Sequence, residues 1–239
     1  SNVTIELRAA QWCAIIGPNG AGKSTLLRVA AGLMPPTRGD VILQGRALGA
    51  LDRQSIAQQV ALVPQRSEVA AGFTVREVVA MGRAPHQGAF LRARREDDEA
   101  CDEALRSCDL IHLSNRWVDT LSGGEQQRVH IARALASQAP VLLLDEPGAH
   151  LDIRHSQRVY QLLAEQVAER QLACAAVMHD LGAAARHADR IVLLHEGQVV
   201  ADGPPDTVMT AERLSETFET PLCVGQADGQ RYVLPRATA

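Results

Sequence analysis

The segment GPNGAGKST at residues 17–25 restricts the fold more than any other part of the sequence. It fits the pattern G-x-x-x-x-G-K-[ST] through Gly17, Gly22, Lys23 and Ser24. Glycines let backbone N–H groups close around phosphate, the lysine reaches the terminal phosphates, and the serine hydroxyl can ligate magnesium. An apolar run precedes the segment and a helical pattern follows it. The sequence therefore predicts a strand, a phosphate-binding loop and a helix; we call residues 17–25 the phosphate loop.

The remaining patterns predict a parallel α/β core that is interrupted by helices. The chain is β-rich as far as residue 64, turns helical from residue 73, and alternates strands and helices again from residue 141. Such alternation is typical of a parallel sheet with crossover helices. The predicted strands are 40–45, 58–65, 141–147, 172–180, 190–197 and 231–235, and the predicted helices are 74–86, 92–110, 121–138, 154–171, 181–188 and 207–218. The predicted units are a nucleotide-binding core at 1–65 and 137–203, a helical subdomain at 66–136 and a C-terminal extension at 204–239.

The run VLLLDEP at residues 141–147 ends a buried strand with two carboxylates. Asp145 at the strand end is expected to hold magnesium, which is the role of the second acidic position in a phosphate-loop nucleotide site. The adjacent Glu146 is the best candidate for polarising an attacking water molecule.

The segment LSGGEQQR at residues 121–128 resembles a phosphate-binding turn without a lysine. Ser122, Gly123 and Gly124 precede a helical pattern, so bare N–H groups at a helix N-terminus would make an anion site. We call residues 121–128 the signature segment.

Six motifs in this order resemble the complete set of the ATP-binding-cassette ATPases. They are GPNGAGKST, Gln65 in ALVPQ, LSGGEQQ, VLLLDEP, the AHLD segment with Asp152, and His179 in AVMHD. The resemblance covers nearly the whole chain. It implies a P-loop NTPase fold of the RecA-like kind with an inserted helical subdomain, and it implies hydrolysis of ATP with Mg²⁺.

The resemblance also implies a role for each matching residue. Glu146 would activate the attacking water, His179 would contact the γ-phosphate, and Gln65 would touch magnesium and the water and respond to the transport partner. Asp152 would communicate across a dimer. Magnesium is expected at Ser24, Gln65 and Asp145. ATP contacts are expected from Gly17, Pro18, Asn19, Gly20, Ala21, Gly22, Lys23, Ser24, Thr25, Ser122, Gly123, Gly124, Gln126 and Asp152.

In the family, the signature segment of one subunit closes over the γ-phosphate bound to the lysine of the other. The resemblance therefore implies a head-to-tail homodimer that sandwiches two ATP molecules, in which Ser122 of one chain faces the ATP on Lys23 of its partner. The helix dipole of the signature segment would be aimed at that phosphate.

Two departures from the family pattern affect these expectations. Family members usually carry an adenine-stacking aromatic residue and an extra strand ahead of the phosphate loop. This chain begins at SNVTIEL, too late for either, so it is expected to be N-terminally short, and its affinity for adenine stays open at the level of sequence. Trp12 is expected to pack in the core or a turn. The family commonly has Thr and Ser after the proline of the carboxylate strand, whereas this chain has Gly148 and Ala149. Gly148 is expected to loosen that turn.

Composition and charge argue against several other classes of function. A formal net charge of -4, a pI near 6.1 and an aromatic content of 3% predict no nucleic-acid partner. Five cysteines without a C-x-x-C pattern predict reduced thiols. The chain lacks an apolar run of about 18 residues and a signal-peptide pattern, which predicts neither membrane crossing nor export. Metal-ligand spacing is missing among the other histidines, so we expect no metal besides magnesium: His86, His112, His130, His150, His155, His187 and His195.

Three stretches also resemble the ATPases that serve iron-siderophore, haem and vitamin B12 import: 74–86, 142–157 and 178–214. This resemblance implies an ATPase at the cytoplasmic face of the inner membrane, bound to polytopic permease subunits and linked through them to a periplasmic substrate-binding protein. Two alternatives stay open at the level of sequence. The chain could serve another transporter cargo class, or it could be a soluble cassette ATPase that clamps a macromolecule.

Overall fold

The computed structural model of the protein describes residues 3–65, 72–87 and 94–236. Short 3₁₀ turns at 48–50, 81–86, 111–113 and 118–120 join the regular elements. The strands are β1 Gln11–Ile16, β2 Ile42–Leu43, β3 Arg46–Ala47, β4 Val60–Val63, β5 Val141–Asp145, β6 Ala173–Val177, β7 Arg190–His195, β8 Gln198–Gly203, β9 Leu222–Ala227 and β10 Gln230–Pro235. The helices are α1 Lys23–Ala30, α2 Arg53–Gln59, α3 Val75–Ala80, α4 Arg95–Ser107, α5 Gly123–Ala136, α6 Ile153–Glu169, α7 Leu181–His187, α8 Pro205–Val208 and α9 Ala211–Thr217.

A six-stranded sheet in the order β4-β5-β6-β1-β7-β8 forms the centre of the molecule. Strands β4, β5, β6, β1 and β7 pair in parallel, and β8 closes the edge antiparallel to β7. In β1, Ile15 pairs with Val177 of β6 on one side and Val192 of β7 on the other. Parallel pairing places the carboxyl ends of β1, β5 and β6 at one edge, where ligands of open α/β sheets bind. The predicted α/β fold is confirmed.

Side chains of β1 alternate between two cores, as the period of a strand requires. Cys13 and Ile15 belong to a smaller cluster that includes Leu27 of α1. Trp12 and Ile16 face the larger cluster, which extends through α6 and the helical part of the chain. Trp12 is 1% exposed, so the prediction that it packs in the core is correct.

Several local predictions differ from the structure. The predicted strand 40–45 is a two-residue strand in a small hairpin of β2 with β3, and the first residues of the predicted strand 58–65 lie in α2. Helix α2 was not predicted; the Asp52 side chain caps it by accepting from the Ser55 N–H. The predicted helix 74–86 becomes a 3₁₀ turn after Ala80, in a stretch that contains Pro85. The tail helix 207–218 is split into α8 and α9, and β8 and β9 were not predicted.

A buried ion pair joins the 3₁₀ turn 81–86 to the helices around it. Arg83 Nε donates to Asp97 Oδ1 of α4 at 2.8 Å, and Arg83 NH1 donates to the Ala136 carbonyl of α5 at 2.9 Å. Both side chains of the pair are 6% exposed. On the other side of the turn, the Gln54 and Gln58 side chains of α2 donate to the Pro85 carbonyl. The turn therefore ties α2 of the core to the packed helices α3, α4 and α5; the unit boundaries at residues 66 and 136 stay predictions.

Replacing Arg83 with Met should destabilise the fold strongly, because it leaves the Asp97 carboxylate buried without its cation. We expect a loss of about 3–5 kcal/mol in the free energy of unfolding, measured by urea denaturation. Arg95→Met is the matched control, since its pair with Glu99 lies on the surface and should change the free energy by less than about 1 kcal/mol. Equal effects of the two substitutions would contradict the importance of the buried pair.

Candidate nucleotide-binding and hydrolysis site

The phosphate loop leaves β1 through a turn that only glycine can make. Gly17 has φ 149°. A Cβ atom there would lie 3.1 Å from the carbonyl carbon of Leu194 in β7 and closer still to its oxygen. Gly22, with φ 95°, caps α1 in the left-handed conformation. The loop therefore packs its backbone directly against the neighbouring strand before it enters the helix.

Lys23 lies inside the phosphate loop, 6% exposed. Its Nζ donates to the carbonyl oxygens of Gly17 at 2.7 Å and Pro18 at 2.9 Å. Burial lowers the pKa of Lys23, while the nearby carboxylates of Glu146 and Asp145 oppose that shift. The ammonium group is thus held by the loop carbonyls, close to the N-terminus of α1, where an anion is favoured.

Ser24 and Asp145 meet across the end of the sheet. Ser24 Oγ donates to Asp145 Oδ1 at 3.0 Å. Burial raises the pKa of Asp145, and the hydrogen bond from Ser24 partly opposes this. A hydroxyl and a carboxylate at this separation offer the oxygen ligands that Mg²⁺ prefers, so the residues fit the expected metal.

The three residues expected to be catalytic are in contact, with Glu146 between Gln65 and His179. Its backbone is left-handed, with φ 55°, and its N–H donates to the Val177 carbonyl at the end of β6. Gln65 Nε2 donates to Glu146 Oε2 at 2.7 Å, and His179 Nε2 lies 2.7 Å from Glu146 Oε1. The carboxylate is therefore oriented from both sides by polar groups that follow β4 and β6.

The signature segment is built as a capped helix start. Ser122 Oγ and the Ser122 N–H both donate to Glu125 Oε2, at 2.7 and 2.8 Å, and the Glu125 N–H donates back to Ser122 Oγ. These hydrogen bonds lower the pKa of Glu125. The Gln126 side chain donates to the carbonyls of Val118 and Leu121, so it braces the preceding turn.

The structure places the signature segment beside Asp152. Gly124 packs so closely on the His155 ring that a Cβ atom would lie 2.7 Å from its Cδ2. His155 Nδ1 lies 2.8 Å from both carboxylate oxygens of Asp152. Among the described residues, no hydrogen bond joins the signature segment to the phosphate loop.

Two contacts near the site were not foreseen from the sequence. One is the packing of His155 between Asp152 and Gly124. The other is the contact of Gly148 with Tyr160, which replaces the expected loosening of that turn by a close fit. A histidine and a tyrosine in an amphipathic helix carry no local signal that distinguishes them from other helix residues.

The parallel sheet, the phosphate loop after its central strand and the Ser24–Asp145 pair define an α/β protein of the P-loop nucleotide-binding class. The chain matches the ABC transporter family over residues 1–149, and it belongs to that family. Its relatives are ATP-binding subunits, and this chain is an ATPase coupled to transport.

Two curated relatives are ATP-binding proteins of transport systems. The ferric enterobactin transport ATP-binding protein FepC of Escherichia coli (strain K12) is 42% identical over 91% of this chain and 80% of its own length. The hemin import ATP-binding protein HmuV of Nocardia farcinica (strain IFM 10152) is 44% identical over 98% of this chain and 81% of its own length.

Solved structures share the fold. A chain from an ABC transporter in an inward-facing conformation is 27% identical, with a TM-score of 0.86 over 98% of this chain and 90% of that chain. The bacterial cassette MJ0796, solved as a dimer, is 30% identical, with a TM-score of 0.74 over 85% of this chain and 89% of that chain. MJ0796 was also solved in a post-hydrolysis state with ADP and Pi.

Replacing Gly17 with Ala should damage the phosphate loop. The new methyl group would overlap the Leu194 carbonyl, so the loop must shift, and we expect a loss of about 1–3 kcal/mol in the free energy of unfolding together with weaker ATP binding. Gly39→Ala is the matched control, because Gly39 also has a positive φ but has open space around it. Calorimetry with ATP and thermal unfolding measure the two effects; parent affinity in Gly17→Ala would contradict the assigned loop geometry.

Proposed function

We propose that this chain binds Mg²⁺–ATP at the phosphate loop and hydrolyses it with Glu146 as the water-activating group. The observation that supports this most is the hydrogen-bonded group of Gln65, Glu146 and His179, which lies directly after the strand end that carries Asp145. These side chains come from three separate parts of the chain, and the parallel sheet gathers them at one edge.

Each polar group in the site has a chemical task. The Lys23 ammonium stabilises negative charge on the terminal phosphate oxygens, as do the N–H groups at the start of α1. Magnesium, held by Ser24, Asp145 and Gln65, would neutralise charge on the β- and γ-phosphate oxygens. The remaining work is positioning of the water and the phosphate.

Glu146 accepts a hydrogen bond from the attacking water and polarises it towards the γ-phosphate. Gln65 and His179 hold the two oxygens of this carboxylate at 2.7 Å, which fixes its direction. The His179 side chain is 45% exposed, and we propose that it also contacts the γ-phosphate.

Replacing Glu146 with Gln tests the assignment of the catalytic carboxylate. The amide cannot take up a proton, so we expect steady-state hydrolysis to fall by about 100-fold or more while ATP still binds. The variant should elute from size exclusion as an ATP-bound dimer. Glu165→Gln is the matched control, since Glu165 is exposed on α6 and bonds only to its neighbour Gln161 in the described structure. Hydrolysis at the parent rate in Glu146→Gln would sink the assignment.

We also infer that the working unit is a head-to-tail homodimer. Within one chain the signature segment lies beside Asp152, whereas Lys23 lies in a separate loop. A second copy could supply its signature segment to the ATP on Lys23, so that the N-terminus of the 14-residue helix α5 faces the γ-phosphate. The related cassette MJ0796 was solved as a dimer, which supports a dimer for this chain.

Replacing Ser122 with Arg should separate binding from hydrolysis. The bulky side chain would block the helix start in the partner's site, so ATP affinity of the monomer should stay within about twofold while dimer-dependent hydrolysis falls by about 100-fold. Asn115→Arg, on an exposed position of the same subdomain, is the control for added charge. ATP titration and steady-state kinetics measure the two effects, and survival of both would rule out the proposed role of the signature segment.

The transport role that we propose is import of an iron-siderophore, haem or cobalamin. It is supported by the functions of the relatives, which include a cobalamin import ATP-binding protein of Halobacterium salinarum. Phe73 is 37% exposed and precedes Thr74, which forms a bridge with the 51% exposed Trp117. Met81, which follows α3, is 40% exposed. We propose that Phe73, Met81 and Trp117 receive a helix of a polytopic permease, which would hold the chain at the cytoplasmic face of the inner membrane and link it to a periplasmic binding protein.

Within the described residues, no helix has the length and apolar character needed to span a membrane. We propose that the permease provides the attachment to the membrane. Affinity purification from detergent-solubilised membranes tests this role: a polytopic permease should co-purify with the chain. Recovery of ribosomes or DNA in its place would favour the soluble cassette alternative.

A further inference from the structure

A tyrosine from the following helix closes the turn that carries Glu146. The Ala149 N–H donates to the Glu146 carbonyl at 3.1 Å, which makes a tight turn over residues 146–149. A Cβ atom at Gly148 would lie 2.5 Å from Cζ of Tyr160 and closer still to the tyrosine hydroxyl. The space that a side chain at position 148 would need is therefore filled by the hydroxyl end of Tyr160.

Tyr160 itself is fixed by its neighbours. It lies in α6, 5% exposed, and its ring centroid is 6.3 Å from that of Trp12 and 5.6 Å from that of His187. Trp12 belongs to β1, the strand that leads into the phosphate loop, and His187 belongs to α7, the helix that follows His179. The Tyr160 ring thus packs against β1 and α7, while its hydroxyl contacts the turn at residues 146–149.

The charges around the hydroxyl agree with this placement. Burial first, and then the negative charges of Asp180 and Glu146, raise the pKa of Tyr160 to about 12. The hydroxyl therefore stays neutral at physiological pH. It lies within electrostatic reach of the turn that carries Glu146 and of the residue that follows His179.

We propose that Tyr160 is a positioning residue for Glu146, and that Gly148 and Tyr160 form a matched pair that sets the direction of the catalytic carboxylate. The proposal deepens the proposed function, since it rests on Glu146 as the water-activating group. Glu146 meets Gln65 and His179 through contacts of 2.7 Å, so a small shift of the turn would break both. A misplacement of about 1 Å is enough to slow catalysis by about two orders of magnitude.

The experiment is a cycle of four proteins: parent, Gly148→Ala, Tyr160→Leu and the double variant. In the parent background, Gly148→Ala should lower kcat by about tenfold with KM within about twofold, because the turn moves and the phosphate loop does not. It should also lower the Tm of the nucleotide-free chain by about 3–8 °C through overpacking. In the Tyr160→Leu background the same change should alter kcat by less than about twofold and Tm by less than about 1 °C, since the obstructing ring is gone.

Two further variants separate positioning from stability. Tyr160→Phe keeps the ring packed on Trp12 and His187 and removes only the hydroxyl, so kcat should fall by about threefold or more while Tm stays within about 2 °C of the parent. Gly49→Ala is the control for a glycine substitution in open space, and it should leave kcat and Tm at parent values.

Additive effects of Gly148→Ala and Tyr160→Leu on both Tm and kcat would overturn the proposal, and so would parent kcat in both Gly148→Ala and Tyr160→Phe. The Tm cycle on the nucleotide-free chain reports the contact without reference to catalysis. If Glu146→Gln still hydrolyses ATP while the Tm changes of the four proteins are non-additive, the proposed function is wrong but the contact between Gly148 and Tyr160 is confirmed. If Glu146→Gln is inactive and the Tm and kcat changes of the four proteins are additive, only the positioning role of Tyr160 is wrong.

Discussion

The parallel pairing of β1 with β6 and β7 is the constraint on which the site depends. Because β1 lies between these strands in register, its carboxyl end opens at the same edge as those of β5 and β6. The phosphate loop follows β1, His179 follows β6, and Asp145 is the last residue of β5. A change of register at β1 would separate Lys23 from the carboxylates, although each segment would keep its local shape.

The loop is held at this edge by backbone packing as well as by pairing. Gly17 touches the carbonyl of Leu194 in β7, and the Gly197 N–H donates to the Ala21 carbonyl, so the turn after β7 supports the loop from the other side. Burial lowers the pKa of Lys23, and the neighbouring carboxylates favour its charged form. The site therefore combines a buried cation, held by carbonyl oxygens, with acidic groups that can share a metal.

The helical part of the chain depends on a different interaction. The buried pair of Arg83 and Asp97 connects the 3₁₀ turn 81–86 with α4, and its contact with the Ala136 carbonyl reaches the end of α5. Since α5 begins at the signature segment, the same helix links this ion pair to the proposed dimer contact. The sequence marked residues 74–86 through a resemblance to importers, but it could not show that Arg83 is buried, because arginine is usually exposed.

Local patterns were enough for the phosphate loop, the strand before Asp145, the helix of the signature segment and the α/β class, since each depends on residues that are adjacent in the chain. Helix α2 was missed because its sequence RQSIAQQ has no apolar periodicity. Strand β8 was missed because its half-exposed sequence QVVADG is defined as a strand by pairing with β7. Which groups meet was decided by the tertiary structure: Gln65 and His179 converge on Glu146, and Gly124 packs on His155. Gly148 is the clearest case. By sequence alone it is a flexible turn residue. The fold places Tyr160 in the space beside it, so only a residue without a side chain fits at this position.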